Sequence, residues 1–295
     1  MDKPVMFNGR LSKDQVEVWL KILRETSETS YKNHNLAKSF LLLPESITFV
    51  SSLENKIIGG TSIYRDKTRL AMVLASVAVE KEFRDSAAFQ IIKSSLPFFK
   101  TVAIRDVDAL VSRDGSTNPL SFPLSLELDP WATEILKRIG FLKIANLEHW
   151  SFTLDKSIDK TPLAWTEEVN SDEVRELIWD QSKPMGLTNS LVWLARDFSV
   201  EMNCLVTIER NGKTEAVVGF WKLSDRFCIY PVVSDPERLS WERLADALIA
   251  MALESGMTKI ELPLVGEGQG NLAQALENKS NQSSCRKLSL LRKPL

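Results

Sequence analysis

Two glutamates, Glu80 and Glu82, follow a long apolar run and could do acid–base chemistry. Residues two apart share one side of a strand for as long as the strand stays regular, so both side chains would face the same way. A carboxylate that faces a cleft can take a proton from a reacting group. The alternative is that Glu80, Lys81 and Glu82 are solvated charges at the end of a strand. The sequence leaves both interpretations open.

The histidines and cysteines of the chain do not indicate a further catalytic or metal site. The chain has two histidines, His34 and His149, and three cysteines that are far apart, Cys204, Cys228 and Cys285. No Cys-x-x-Cys pair occurs, and no spacing is typical of a metal site. We therefore predict no bound metal, and cysteines that stay reduced as intracellular thiols normally do.

The elements that must position these residues occur in the same order twice. Apolar periodicity and turn residues predict, in the first half, strands at 47–53, 57–64, 70–79 and 102–111, a helix at 85–98, and a helix and strand within 131–152. The second half repeats this order with strands at 204–209, 215–223, 226–233 and 259–265, a helix at 240–254, and a closing segment at 271–291. A helix at 11–25 with Ser12 as its N-cap precedes the first set. Asn211-Gly212 is the strongest hairpin signal.

This order predicts an α/β (α+β) fold of two tandem domains, each a mixed, mainly antiparallel sheet flanked by helices. The stretch at 154–162 is polar, has no usable period and ends in Pro162. We therefore predict domains at residues 1–153 and 166–295, joined by a linker at 154–165. Residues 113–129 form the longest irregular stretch.

Composition is that of ordinary globular protein, with 44% hydrophobic and 26% charged residues. The net charge of −2 supplies no basic field for nucleic acid or anionic membrane. No apolar run reaches the roughly 20 residues that span a bilayer, and the N-terminus has no secretory apolar region. We therefore predict a cytoplasmic protein that binds neither nucleic acid nor membrane.

The residues that end the predicted fourth strand are Val79-Glu80-Lys81-Glu82-Phe83-Arg84, and Asp85-Ser86-Ala87-Ala88-Phe89 follow. Together with the element order, this stretch resembles the GNAT superfamily of acyl-CoA-dependent N-acyltransferases, in which a Val-x-Pro-Glu-Tyr-Arg-like strand end leads through a glycine-rich turn into a helix. A late Gly140-Phe141 matches part of the family's Tyr-x-x-x-Gly-Phe signature. Ala132 falls at the family's small position, and Asp129 lies where asparagine is common.

The resemblance implies acetyl-CoA or another acyl-CoA as cosubstrate and a small-molecule or peptide amine as acceptor. It places the cofactor's diphosphate at the start of the helix, where free N–H groups and the helix dipole favour an anion. It implies Glu80 or Glu82 as general base, and the backbone amide of Val79 or Glu80 as oxyanion donor. The cofactor-binding residues would be Val79, Arg84, Asp85, Ser86, Ala87, Ala88 and Phe89.

This chain departs from the family pattern at several positions. Ala87 and Phe89 replace the two glycines, and we expect the Phe89 ring to fill space that the diphosphate needs. Leu136 stands where the family often has a tyrosine that protonates the leaving thiolate. In the second half, Trp241 and Arg243 replace the glycines. The glycine-rich run at 266–270 lacks the Lys-Ser/Thr of a phosphate-binding loop, so we interpret it as a flexible connection.

Two functions follow from these patterns. In the first, the chain is an acyltransferase whose first domain binds acyl-CoA and whose second domain shapes the acceptor pocket. In the second, both sites are inactive and the chain is a GNAT-like binding or assembly module. Retention of the strand-end stretch and of Gly140-Phe141 favours the first. Phe89, Leu136, Trp241 and Arg243 favour the second.

Overall fold

The structure of the protein is a computed structural model. It describes residues 6–27, 31, 33–66, 71–101, 105–113, 126–155, 165–166 and 171–295. Most of the predicted linker, and most of the irregular stretch at 113–129, lie outside the described residues. The chain divides into two compact units, one of Met1–Ala145 with Leu288–Leu295, the other of Asn146–Lys287. We call these unit 1 and unit 2.

Among the described residues, unit 1 contains five full strands, the end of a further strand, one two-residue strand and four helices. Its elements are β1 Met6–Arg10, α1 Val16–Thr26, α2 His34–Leu42, β2 Ser46–Leu53, β3 Lys56–Asp66, β4 Ala71–Val79, α3 Arg84–Thr101, β5 Asp106–Ser112, β6 Glu127–Leu128, α4 Pro130–Ile139 and the end of β13 Gln282–Pro294. Strands β1 to β4 form an antiparallel meander, β5 is parallel to β4, and β13 is antiparallel to β5.

The core of unit 1 lies where α3 and α4 cover one face of this sheet. Buried apolar side chains from the central strands meet those of the two helices, including Ile63, Met72, Leu74, Ile92, Val107, Ala109, Leu136 and Phe141. Strand β4 is buried along its whole length, because it lies in the middle of the sheet. The buried strand β4 therefore fixes the position of the residues that follow Val79.

Unit 2 repeats the order of elements. It contains most of β7 Leu142–Thr153, then β8 Trp165–Thr166, α5 Ser171–Gln181, α6 Asn189–Glu201, β9 Leu205–Arg210, β10 Lys213–Lys222, β11 Phe227–Ser234, α7 Trp241–Glu254, β12 Lys259–Val265 and α8 Gly270–Asn278. The hydrogen-bonded order is β7-β12-β11-β10-β9-β8, with only β11 and β12 parallel. Helix α7 packs one largely apolar face, which includes Leu244, Leu248 and Met251, against this sheet.

The predicted fold class is confirmed, and the local turns explain the meanders. Asn211 and Gly212 both have positive φ angles, 53° and 71°, as the hairpin between β9 and β10 requires. Glu54 and Asn55 take the same region in the hairpin between β2 and β3. Ser240 caps α7 by accepting a hydrogen bond from the Arg243 amide. The predicted first helix begins as a 3₁₀ turn at Lys13–Gln15 before α1.

The boundaries of the two units differ from those of the predicted domains at two strands, β13 and β7. Residues 288–294 pair with β5 over its full length, so the end of the chain belongs to unit 1 rather than to the second domain. In return, β7 pairs with β12 through Thr153 and Lys259, which puts residues 146–153 in unit 2. Each unit therefore takes one strand from the other half of the sequence.

No helix among the described residues is long and apolar enough to cross a membrane. The same residues contain no group of three or more histidine, cysteine, aspartate and glutamate side chains that could hold a metal ion.

Candidate functional site

Strands β4 and β5 of unit 1 part from each other near their ends. They pair in parallel only from Ala71 with Asp106 to Leu74 with Ala109. Beyond that point β4 continues against β3 as far as Val79, and β5 continues against β13. The facing edges of β4 and β5 therefore leave an opening in the sheet, which we call the β4–β5 opening.

A short segment of the chain lines the β5 side of this opening. Strand β13 occupies one edge of β5 along its whole length. The pairing of β6 with Leu110 and Val111 must therefore lie on the other edge, the one that faces β4. Leu126, Glu127, Leu128 and Asp129 are all buried there. Segment β6 also lies close to β4, so it fills part of the β4–β5 opening. Among the described residues, no strand forms ladder hydrogen bonds with the edge of β4 that faces the opening at residues 75–79.

The hydrogen-bond pattern of β4 shows which backbone amide faces the opening. The Glu80 amide donates to the Ile58 carbonyl at 2.8 Å. In an antiparallel ladder the next residue turns its N–H and C=O to the opposite edge, so those of Val79 point away from β3. Of the two backbone amides that the sequence offered as candidate oxyanion donors, that of Val79 points toward the opening and that of Glu80 points toward β3.

Arg84 closes the end of the opening. Its Nε donates to the Val79 carbonyl at 3.4 Å, and its Nη2 donates to the Thr26 carbonyl at the end of α1. Its guanidinium carbon lies 4.9 Å from the centre of the Trp131 ring, a cation–π contact with the start of α4. Arg84 is therefore at the predicted position. Its N–H donors bind the backbone of α1 and β4, and its guanidinium packs on the start of α4.

Asp129 organises the same corner of unit 1. One carboxylate oxygen accepts from the Ser27 hydroxyl and the other from the Trp131 indole N–H, both at 2.9 Å. These bonds fix the ring that lies under Arg84. At the position where the family often has asparagine, this chain thus has a buried carboxylate with a structural task.

The helical turn begins before the predicted cofactor-binding stretch. Residues Lys81–Phe83 form a 3₁₀ turn with Glu80 as N-cap, and the Arg84 amide already donates to the Lys81 carbonyl. The free donors at the helix start are thereby moved upstream of residues 84–89. Glu82 and Asp85 lie in the first turns, where their charges interact favourably with the helix dipole and oppose a second anion.

The two alanines of this stretch pack toward the protein interior. Ala88 is fully buried against Ile58, Val79 and Ile91, and Ala87 packs beside them. Ser86 is exposed and makes only a 3.4 Å bond to the Phe83 carbonyl. Of the predicted cofactor-binding residues, Asp85 and Ser86 are therefore the ones whose side chains reach solvent beside the helix start.

Phe89 does not lie where the sequence predicted. Its ring centre is 5.5 Å from the Lys93 ammonium and 5.3 Å from the Arg138 guanidinium, between α3 and α4. The spacing of residues 89 and 93 puts both on one face of α3, and that face is turned toward α4 rather than toward the helix start. The ring therefore leaves the helix start clear.

The candidate bases lie beside a lysine. The Glu80 carboxylate is 2.9 Å from the Lys56 ammonium and its side chain is 20% exposed. This hydrogen bond raises the pKa of Lys56, and the charge of Glu82 adds to the effect. The predicted strand alternation does not position this pair, because β4 ends at Val79, Glu80 is the N-cap of the 3₁₀ turn, and Glu82 lies within that turn and is exposed.

Unit 2 has a corresponding opening that a side chain closes. Strands β11 and β12 pair only at Phe227 with Ile260 and Cys228 with Glu261. The side-chain Nε2 of Gln269 donates to the Val232 carbonyl at 2.7 Å, and its Oε1 accepts from the backbone N–H of Gly266 at 3.2 Å. Gln269 is only 2% exposed, so its buried carboxamide joins β11 to Gly266, the residue that follows β12.

The glycine-rich run that carries Gln269 is not a flexible connection. Glu267–Gln269 form a 3₁₀ turn, and the Gly268 amide donates to the Met185 carbonyl at 3.1 Å. A Cβ atom on Gly268 would lie 2.2 Å from the Pro184 carbonyl oxygen. Glycine is needed there because two backbone segments touch.

No protein-family model and no curated protein matches the sequence. Solved structures do match the fold. A proposed acetyltransferase of Pyrococcus horikoshii superposes with a TM-score of 0.68 at 13% identity, over 98% of this chain and 89% of that one. A tandem GNAT protein from the clavulanic acid biosynthesis pathway gives 0.64 at 12% identity, over 98% of both chains. The protein has the fold of the GNAT acetyltransferases.

A third structure of this fold, a GCN5-related N-acetyltransferase from Sphaerobacter thermophilus, gives a TM-score of 0.63 at 9% identity over 98% of this chain and 95% of that one. The resemblance that the strand-end stretch and the element order indicated is therefore confirmed at the level of the GNAT fold. With identities this low, the likeness carries the architecture but not the acceptor.

Proposed function

We propose that unit 1 is an acyl-CoA-dependent N-acyltransferase, with acetyl-CoA or another acyl-CoA as donor and a small amine or peptide amine as acceptor. The observation that carries the proposal is the β4–β5 opening with the Val79 N–H aimed into it. A central, buried strand holds this donor rigidly, and a fixed donor stabilises charge that develops on an acyl oxygen.

The reaction needs few groups from the protein. The neutral amine attacks the thioester carbonyl, the C–N bond forms, and the C–S bond breaks as the thiolate leaves. The Val79 N–H would bind the oxygen of the intermediate. Glu80 or Glu82 would take the proton of the ammonium, directly or through a water. Leu136 has no proton to give, so solvent or the acceptor would protonate the thiolate.

The helix start would receive the donor's diphosphate at the turn of residues 81–86. Free N–H groups at the start of the 3₁₀ turn, upstream of Arg84, and the exposed Ser86 hydroxyl would supply donors. Glu82 and Asp85 supply charge of the wrong sign. We therefore expect weaker binding of acyl-CoA than a glycine-rich turn without acidic residues would give.

The alternative is a GNAT-like binding module without activity. It is favoured by the use of Arg84 in structural bonds, by the acidic helix start and by the missing hydroxyl at Leu136. Unit 2 fits this description better than unit 1, because Gln269 bridges its opening and Ser240 caps the helix start.

Ligand-induced stabilisation separates the two proposals. A ligand that binds only the native state at 100 times its Kd adds about 2.7 kcal/mol, so millimolar acetyl-CoA should raise the Tm by several degrees. Ser86→Glu adds a carboxylate at the helix start and should abolish most of the shift. Gln90→Glu adds the same charge one turn later on an exposed position and should keep it. No shift in the wild type at millimolar acetyl-CoA overturns the proposal.

Release of the CoA thiol, measured with amino acids, polyamines, aminosugars and a peptide with a free α-amine, then tests transfer itself. Glu80→Gln or Glu82→Gln should slow it by about 10²–10⁴-fold if that residue is the base. Glu134→Gln, an exposed glutamate on α4, is the control. Binding without release for any acceptor would favour the binding module.

A further inference from the structure

We propose that unit 1 carries a second ligand site, a cavity between α3 and α4 that binds a small amphipathic anion. By this we mean an aromatic or aliphatic body that bears a single negatively charged group. The cavity has a volume of about 390 Å³ and is lined by Phe89, Lys93, Leu96, Arg138, Ile139, Lys293 and Leu295. Its size is that of a small-molecule site.

The charged side chains around the cavity are all of one sign. Lys93, Arg138 and Lys293 line it, and no carboxylate side chain does. None of the three has a carboxylate within ion-pair distance among the described residues, whereas the neighbouring Lys137 is 2.6 Å from Glu134. Three unneutralised cations at one cavity, in a chain of net charge −2, select an anion.

Contacts with the protein bring the three cationic side chains close to one another. Lys93 and Arg138 both lie over the Phe89 ring, at 5.5 and 5.3 Å from its centre. A Cβ atom at Gly140, two residues after Arg138, would be 3.1 Å from the Lys293 ammonium. One ring and one helix end thus bring the three charges to the same rim.

The remaining lining residues select the body of the ligand. Phe89, Leu96, Ile139 and Leu295 are apolar, and they leave apolar surface inside a cavity open to solvent. Contact between water and such apolar surface is unfavourable, so a ligand whose apolar group displaces that water is bound more tightly. A purely polar anion, such as phosphate alone, would use the rim but not the interior.

This cavity is distinct from the proposed acyl-CoA site. It reaches Leu96 and Ile139 in the C-terminal halves of α3 and α4, whereas the β4–β5 opening meets the start of α3. Phe89, which the sequence placed in the cofactor site, belongs to this cavity instead. The proposal therefore does not depend on acyl transfer.

Fluorescence titration with 8-anilinonaphthalene-1-sulfonate tests the proposal. The natively folded protein should bind one molecule of this aromatic sulfonate, and the uncharged N-phenyl-1-naphthylamine at least about tenfold more weakly, a factor worth 1.4 kcal/mol. The double variant Arg138→Gln/Lys293→Gln should weaken sulfonate binding by about tenfold or more, since charged hydrogen-bond partners are lost. Lys143→Gln, an exposed lysine outside the cavity, is the control and should change nothing.

A second variant tests the interior without touching the charges. Ile139→Trp fills the cavity and should weaken the sulfonate and the uncharged probe alike. Equal binding of the two probes by the wild type, or sulfonate binding that neither variant weakens, overturns the proposal. The acetyl-CoA-induced rise in Tm should persist in all these variants, so that failure here and failure of the proposed acyltransferase are told apart.

Discussion

At the scale of single residues, a buried carboxylate holds the chain end in unit 1. Asp108 on β5 is fully buried and accepts two hydrogen bonds from Arg292, at 2.7 and 2.9 Å. These bonds raise the pKa of Arg292, because the guanidinium is stabilised in its charged form. Nothing local marks Asp108 and Arg292 as partners, since 184 positions separate them.

Asp108→Asn should therefore be strongly destabilising. It leaves the Arg292 charge without its buried partner, and breaking such a pair typically costs about 3–5 kcal/mol of unfolding free energy. Asp106→Asn is the matched control, because Asp106 is 34% exposed and 3.9 Å from Arg292. It should cost about 1 kcal/mol or less. Urea denaturation measures both, and equal effects would refute the assignment of Asp108 as the anchor.

Residue types alone did not settle the placement of Glu80, Glu82 or Phe89. Strand alternation would put Glu80 and Glu82 on one side, but β4 ends at Val79 and Glu82 lies in the 3₁₀ turn, so that alternation does not apply to them. The direction of a helical side chain depends on which face meets the next element. Phe89 contacts Arg138, about 50 residues later, and no local pattern encodes that contact.

At the scale of elements, the parting of parallel strands is the feature that both units share. In unit 1, β4 and β5 separate after Leu74 and Ala109; in unit 2, β11 and β12 separate after Cys228 and Glu261. Periodicity predicted each of these strands within a few residues. It could not predict the separation, which depends on where pairing stops, nor β6, which is only two residues long.

The Gly-Phe signature has a structural reason in this chain. Gly140 is the C-cap of α4 and has a φ of 103°. Its amide donates hydrogen bonds to the Leu136 and Lys137 carbonyls. Phe141 then donates from its amide to the Leu136 carbonyl at 3.0 Å and is buried. The part of the family pattern that survives is thus the part that closes a helix.

Gly140→Ala should destabilise unit 1 by about 1–2 kcal/mol, because a side chain in the left-handed region is strained. Gly9→Ala, at a glycine with open space around it and no positive φ, should change stability by less than about 0.5 kcal/mol. Thermal melts of the two variants provide the measurement. A Gly140→Ala protein as stable as Gly9→Ala would contradict the capping role.

At the scale of the whole molecule, the repeat that the sequence shows is real, but the units do not coincide with its halves. The predicted order of strands and helices was sufficient for the fold class. The exchange of β7 and β13 could not be predicted, because an alternating strand such as residues 288–291 fits any complementary sheet edge. Only the pairing with β5 identifies its unit.

A change at the chain end should therefore loosen a strand about 180 positions earlier. Leu290 is fully buried and pairs with Leu110, so Leu290→Ala should cost about 2–5 kcal/mol. Hydrogen exchange should rise at residues 106–112 of unit 1 and stay unchanged in β9 and β10 of unit 2. Pro294→Ala, at an exposed position of the same strand, is the control. Faster exchange in unit 2 alone would contradict the assignment of this strand.

The central claim is that unit 1, and not unit 2, receives acyl-CoA in the opening beside Val79. Hydrogen exchange with and without millimolar acetyl-CoA tests it most directly, because it reports which backbone amides become protected. We predict slower exchange at residues 75–86, with the Val79 amide among those protected, and no change at residues 229–240. Protection confined to residues 229–240, or none anywhere in the chain, would contradict the claim.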